Sequence, residues 1–102
     1  MSANPARGEA RFVVGGVALT LRPSFTALVA AETELGPLFA LVERAGAGRL
    51  TIAELAGLFW HCLSDPPPGL TRERLGEALV EAGLVAATPV LRTLVGQILT
   101  GR

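Results

Sequence analysis

The chain has 102 residues, half of them apolar, and nine arginines balance nine acidic residues with no lysine present, so the formal net charge is zero. That length holds one domain with one modest core. The charge excludes the basic footprint of a nucleic-acid binder, no apolar run approaches the roughly 18 residues of a membrane span, and a single cysteine, Cys62, excludes an internal disulfide and suits a reducing compartment.

Taken in order, Met1-Ser2-Ala3-Asn4-Pro5 lacks the charged-then-apolar layout of a signal peptide, which predicts a protein that stays in the cytoplasm. Residues 1–8 read as a flexible arm. Residues 9–22 read as a β-hairpin folded at Gly15-Gly16, a pair that supplies the positive φ angles of a two-residue turn. Folding there sets Val14 against Val17, Phe12 against Leu19 and Ala10 against Leu21. All six then share one face, because strand side chains alternate. Glu9 falls opposite Arg22, a favourable cross-strand pair. A lone hairpin is marginal in water, so this face is expected to rest on helices.

The helical part spans residues 24–100. Ser24 is an N-cap for a first helix that runs to about Leu35, where Gly36 offers a left-handed stop. Pro37 suits the first turn of a second helix ending near Ala45. Thr51 and Glu54 form a capping box for a third, Ile52 to Leu63. Its apolar residues Ile52, Leu55, Ala56, Leu58, Phe59, Trp60, Cys62 and Leu63 reach almost all round, which predicts a central helix with Phe59 as a core anchor. Asp65-Pro66-Pro67-Pro68-Gly69 is a stiff loop. Thr71 caps a fourth helix stopped by Gly83, and Thr88-Pro89 starts a fifth with Leu91, Leu94, Val95 and Ile98 in line. The fold class is therefore α+β: a single domain in which an N-terminal β-hairpin packs on a bundle of about four to five short helices.

No catalytic, cofactor or metal constellation emerges. His61 and Cys62 are adjacent on a helix, point about 100° apart, and so form no nucleophile–base pair. One His and one Cys fall short of a zinc site, and Gly46-Ala47-Gly48 lacks the lysine of a phosphate loop. Thr51 to Gly83 has the outline of a helix–turn–helix, with Arg72 and Arg74 at the start of the second helix. Its three-proline loop is too long and stiff for the usual turn, and Glu73, Glu77 and Glu81 make that helix acidic. Glu32 lies on the apolar stripe of the first helix. It is either an edge residue reaching solvent or the partner of an arginine, Arg22, in an ion pair that orients hairpin against helix.

Three pieces of the sequence carry a family likeness: Asn4-Pro5-Ala6-Arg7-Gly8-Glu9, the hairpin ending Leu19-Thr20-Leu21-Arg22, and Ser24-Phe25-Thr26-Ala27-Leu28 with Glu32 and Leu35-Gly36. In that order they resemble the small tail-assembly proteins of gene transfer agents and related tailed phages, the tail assembly chaperone-like family. The resemblance implies an adaptor that binds tail proteins, the tape-measure protein or tube subunits, during tail assembly and that performs no chemistry. Two alternatives stand beside it: a permanent tail component such as a tube or connector subunit, associated with the particle, and a small DNA-binding regulator. Val80, Leu84, Val85, Val90 and Leu99 exceed what five short stripes need. They read either as an interaction surface, for a partner or for self-association, or as the completion of the core.

Overall fold

A computed structural model describes residues 9–101. The N-terminal arm proposed for residues 1–8, and with it most of the Asn4–Glu9 motif, lies outside them. Strands β1 (Ala10–Val14) and β2 (Val17–Leu21) are followed by helices α1 (Phe25–Leu35), α2 (Leu38–Gly46) and α3 (Ile52–Cys62). Then come a two-residue strand β3 (Leu63–Ser64) and helices α4 (Arg72–Ala82) and α5 (Leu84–Thr100).

The hairpin has the expected register. Val14 pairs with Val17, Phe12 with Leu19 and Ala10 with Leu21, and Gly15 and Gly16 both take positive φ, 53° and 77°. Ala10, Phe12, Leu19 and Leu21 are buried, whereas Val14 is half-buried and Val17 exposed. The apolar face thus dips into the core at its base and rises out of it toward the turn. β3 was not anticipated. It pairs antiparallel with the base of β2, Leu63 with Leu21 and Ser64 with Thr20, and the Arg22 N–H donates to the Cys62 carbonyl at 2.7 Å. The third helix therefore stops at Cys62, and Leu63 joins the sheet instead of the helical stripe.

The helix starts rest on the caps. Ser24 Oγ accepts from the Ala27 N–H, and Thr71 Oγ1 accepts from the Arg74 N–H, each at 3.1 Å. Thr51 and Glu54 close a full capping box on α3. Pro37 stands one place earlier than expected, as the N-cap of α2. α3 is the central helix, with α1 and α4 packed on it. It buries Leu55, Ala56, Gly57, Leu58, Phe59 and Cys62, while Ile52 at its first turn stays exposed. Phe59 and Phe12 meet edge to face, ring centroids 5.6 Å apart, so the aromatic centre of the core joins α3 to the sheet.

α5 begins at Leu84, not at Thr88-Pro89. Gly83, at φ 88°, ends α4 and opens α5 in a single residue, a conformation a Cβ would disfavour. Pro89 then sits inside α5. It removes one helical hydrogen bond, the one to the Val85 carbonyl, in a stretch where Leu84, Val85, Ala86 and Thr88 are all exposed, where an unpaired backbone group costs less than it would in the core. The earlier start extends the core stripe to Ala87 and Val90, buried together with Leu94, while Leu91 and Ile98 of the expected stripe pack half-buried against the core.

Candidate functional site

Ten large apolar side chains are substantially exposed among the described residues: Val13, Val17, Phe25, Val29, Phe39, Ile52, Val80, Leu84, Val85 and Leu99. Of the five C-terminal residues singled out in the sequence, Val80, Leu84, Val85 and Leu99 are exposed, Val85 to 87%. Val90 is a correction. It is buried between Ala87 and Leu94, three residues after one and four before the other, and so shares their face of the helix and completes the core.

The largest exposed apolar groups were missed. Phe25 is 85% and Phe39 86% exposed, although phenylalanine ordinarily seeks the interior. The signal was helical phase. On α1 the buried residues are Ala27 and Ala31, and on α2 the buried residue is Leu41. Each phenylalanine precedes a buried position by two residues, about 200° around the helix, and so must face away from the core. Val29 shares the α1 side of Phe25, four residues on.

Two grooves lie beside this surface. One, of about 550 Å³, runs between the hairpin tip, the proline loop and α4. It is lined by Val17, Leu19, Pro67, Leu70, Leu75 and Ala82, with Arg74 and Glu81 also on its wall. The other, shallower, lies between α3 and α4 and includes Ile52 and Val80.

Charged groups join the helices. Glu34 of α1 accepts from both ends of the Arg72 guanidinium of α4, at 2.6 Å to Nη1 and through a second contact with Nη2. His61 Nε2 of α3 lies 2.8 Å from the same carboxylate. The arginine first, and the histidine after it, hold the Glu34 carboxyl down to about 2. Arg72 passes directly over Gly57 of α3, where a Cβ would stand 2.6 Å from Nη2. Arg44 of α2 pairs with Glu54, so the capping glutamate of α3 also ties α2 in place. Its carboxyl is held below the usual range by the Thr51 backbone N–H and then by Arg44.

The Glu32–Arg22 ion pair is the second correction, whereas Glu32 is exposed, as the other reading had it. Its carboxylate accepts the N–H of Leu38 at 2.9 Å, and no ion pair with Arg22 forms among the described residues. The open N-terminus of α2, six residues away, is the nearer demand: Pro37 has no side-chain cap to offer it. Arg72 and Arg74, the two cations of the helix–turn–helix outline, are engaged with Glu34 and Glu77. Cys62 is buried, and burial pushes its thiol up to about 12. Among the described residues no group of three His, Cys, Asp or Glu side chains could hold a metal ion, and no single helix is long and apolar enough to cross a membrane. The geometry offers apolar contact surface.

No curated protein and no solved structure matches the chain. A family match does exist, to the family described as "Phage tail tube protein, GTA-gp10", and it runs over residues 7–101, nearly the whole chain. The chain belongs to this gene transfer agent and phage tail family.

Proposed function

We propose that this protein is a non-enzymatic, permanent component of the tail of a gene transfer agent or phage-like particle, made in the bacterial cytoplasm and retained in the particle. It works by binding other tail proteins, tape-measure or tube subunits, through apolar surface. The observation that carries this reading is the distribution of the exposed apolar side chains. They lie on the sheet, on α1 and α2, and on α3, α4 and α5, so that apolar side chains are offered to contacts on several sides of the domain. A subunit held in an assembly needs contacts on several sides, whereas an adaptor with one transient partner needs one. The family's description as a tube protein favours the same reading.

The test is the composition of purified particles. A permanent component is present there in a fixed ratio to the tube protein. An assembly chaperone that binds the same partners and then leaves would be abundant in producing cells and missing from the particles, and that result would replace this proposal.

A further inference from the structure

α5 carries an outer face that the described residues leave uncovered. Its buried stripe is Ala87, Val90 and Leu94. Val85 and Arg92 lie on the opposite side of the helix, about 180° from that stripe, and both are exposed. Arg92 is the only charged residue of α5. It has no ion-pair partner among the described residues.

The groove between α3 and α4 offers the complement. Ile52 and Val80 are exposed in it, and Gly76 lies between the helices. On its rim Arg74 and Glu77 pair with each other, whereas Glu73 has no cation beside it among the described residues. Glu73 and Val80 are seven residues apart and so share a face of α4. α4 thus presents a carboxylate and an apolar side chain about 10.5 Å apart, two helical turns. Val85 and Arg92 are also seven residues apart, so α5 presents an apolar side chain and a cation at the same spacing.

We infer that the two faces meet between copies of this chain. The outer face of α5 of one copy packs antiparallel along the α3–α4 groove of a second copy, with Val85 against Val80 and Ile52, and Arg92 against Glu73. One chain cannot make this contact with itself, because α5 turns the face away from its own core. Gly76, between Glu73 and Val80, has no side chain to hold the helices apart. Thr88 and Pro89, between Val85 and Arg92, are short. Running antiparallel, the helices also oppose their dipoles. Zero net charge removes the long-range repulsion that would oppose two copies meeting. The inference stands on matched spacing and charge and holds whether or not the tail reading does.

The test uses the full chain. Sedimentation equilibrium is expected to show reversible self-association with a dissociation constant on the order of 100 micromolar, as suits a small interface. Arg92→Glu and Glu73→Arg each set like charges opposite one another, and each is expected to weaken association about tenfold. A chain carrying both changes restores opposite charges and is expected to return to within about threefold of the wild type. Because Glu73→Arg also places a cation at the start of α4, the urea midpoint of each variant is measured beside its mass, and Glu73→Gln serves as the milder substitution. Val85→Ser is expected to weaken association and Leu99→Ser to leave it unchanged. A monomer at concentrations up to about ten times the expected constant overturns the inference and leaves the two faces to a different partner. Association in which the doubly reversed chain is as weak as the single variants overturns it too, since Arg92 and Glu73 would then not meet.

Discussion

Phe59 is wholly buried and packs edge to face on Phe12, so it holds the central helix to the sheet. Phe59→Ala is expected to cost about 3–5 kcal/mol, a large share of the roughly 5–10 kcal/mol available to a domain of this size. Urea denaturation checks it, and an unchanged midpoint would mean the core does not close on that ring. Three residues away, Cys62 is 1% exposed and its thiol is raised to about 12 by burial. The thiolate is the reactive form, so a thiol reagent at pH 8 is expected to label the native protein far more slowly than the urea-unfolded protein. Equal rates would show that the end of α3 opens freely. Both residues were legible in the sequence, because an apolar stripe names its own core. Glu32 was not. The stripe left open whether it reaches solvent, as it does, or pairs with Arg22, and the donor it takes belongs to the nearby uncapped α2.

Between elements, the ion network of Glu34, Arg72 and His61 ties α1, α4 and α3 together. Its members are 38 and 27 residues apart, and no local pattern announces contacts over that distance. β3 was hidden for a related reason: two residues are too few to show alternation, and only the position of β2 makes Leu63 and Ser64 a strand. The hairpin register, by contrast, was legible because alternation and the Gly-Gly turn act within fourteen residues, 9–22. The network has a pH signature. Glu34 has a folded pKa of about 2 against 4.5 for the ordinary group. Its stabilising effect is therefore fully present above pH 4.5 and is lost as the pH falls through about 2. Melting temperatures of the wild type and Glu34→Gln, followed downward from pH 4.5, are expected to converge as the carboxylate protonates. Curves that stay parallel would show that the pairing adds nothing. Gly57→Ala is expected to reproduce the Glu34→Gln profile, since the new Cβ would stand 2.6 Å from Arg72 Nη2 and displace the guanidinium.

At the scale of the whole molecule, core and contact surface run through the same elements. α5 buries Ala87, Val90 and Leu94 while exposing Leu84, Val85 and Leu99. Deleting residues 88–102 would therefore unfold the protein, not merely free it of a binding surface. Phe25 and Phe39 offer a cleaner separation, because both are more than four-fifths exposed and lie opposite the buried residues of their helices. Replacing both with serine is expected to change stability by no more than about 0.5 kcal/mol, as for surface positions generally. The same double variant is expected to lose capture of the tail proteins encoded with it, because exposed aromatic anchors carry a large share of binding energy at protein interfaces. Two measurements on one variant decide the matter: the urea midpoint and co-purification with tail proteins from producing cells. A stable variant that still co-purifies at the wild-type level would move the contact surface away from α1 and α2, to the C-terminal residues or to the sheet. A variant that loses stability would show that these phenylalanines pack against the domain after all.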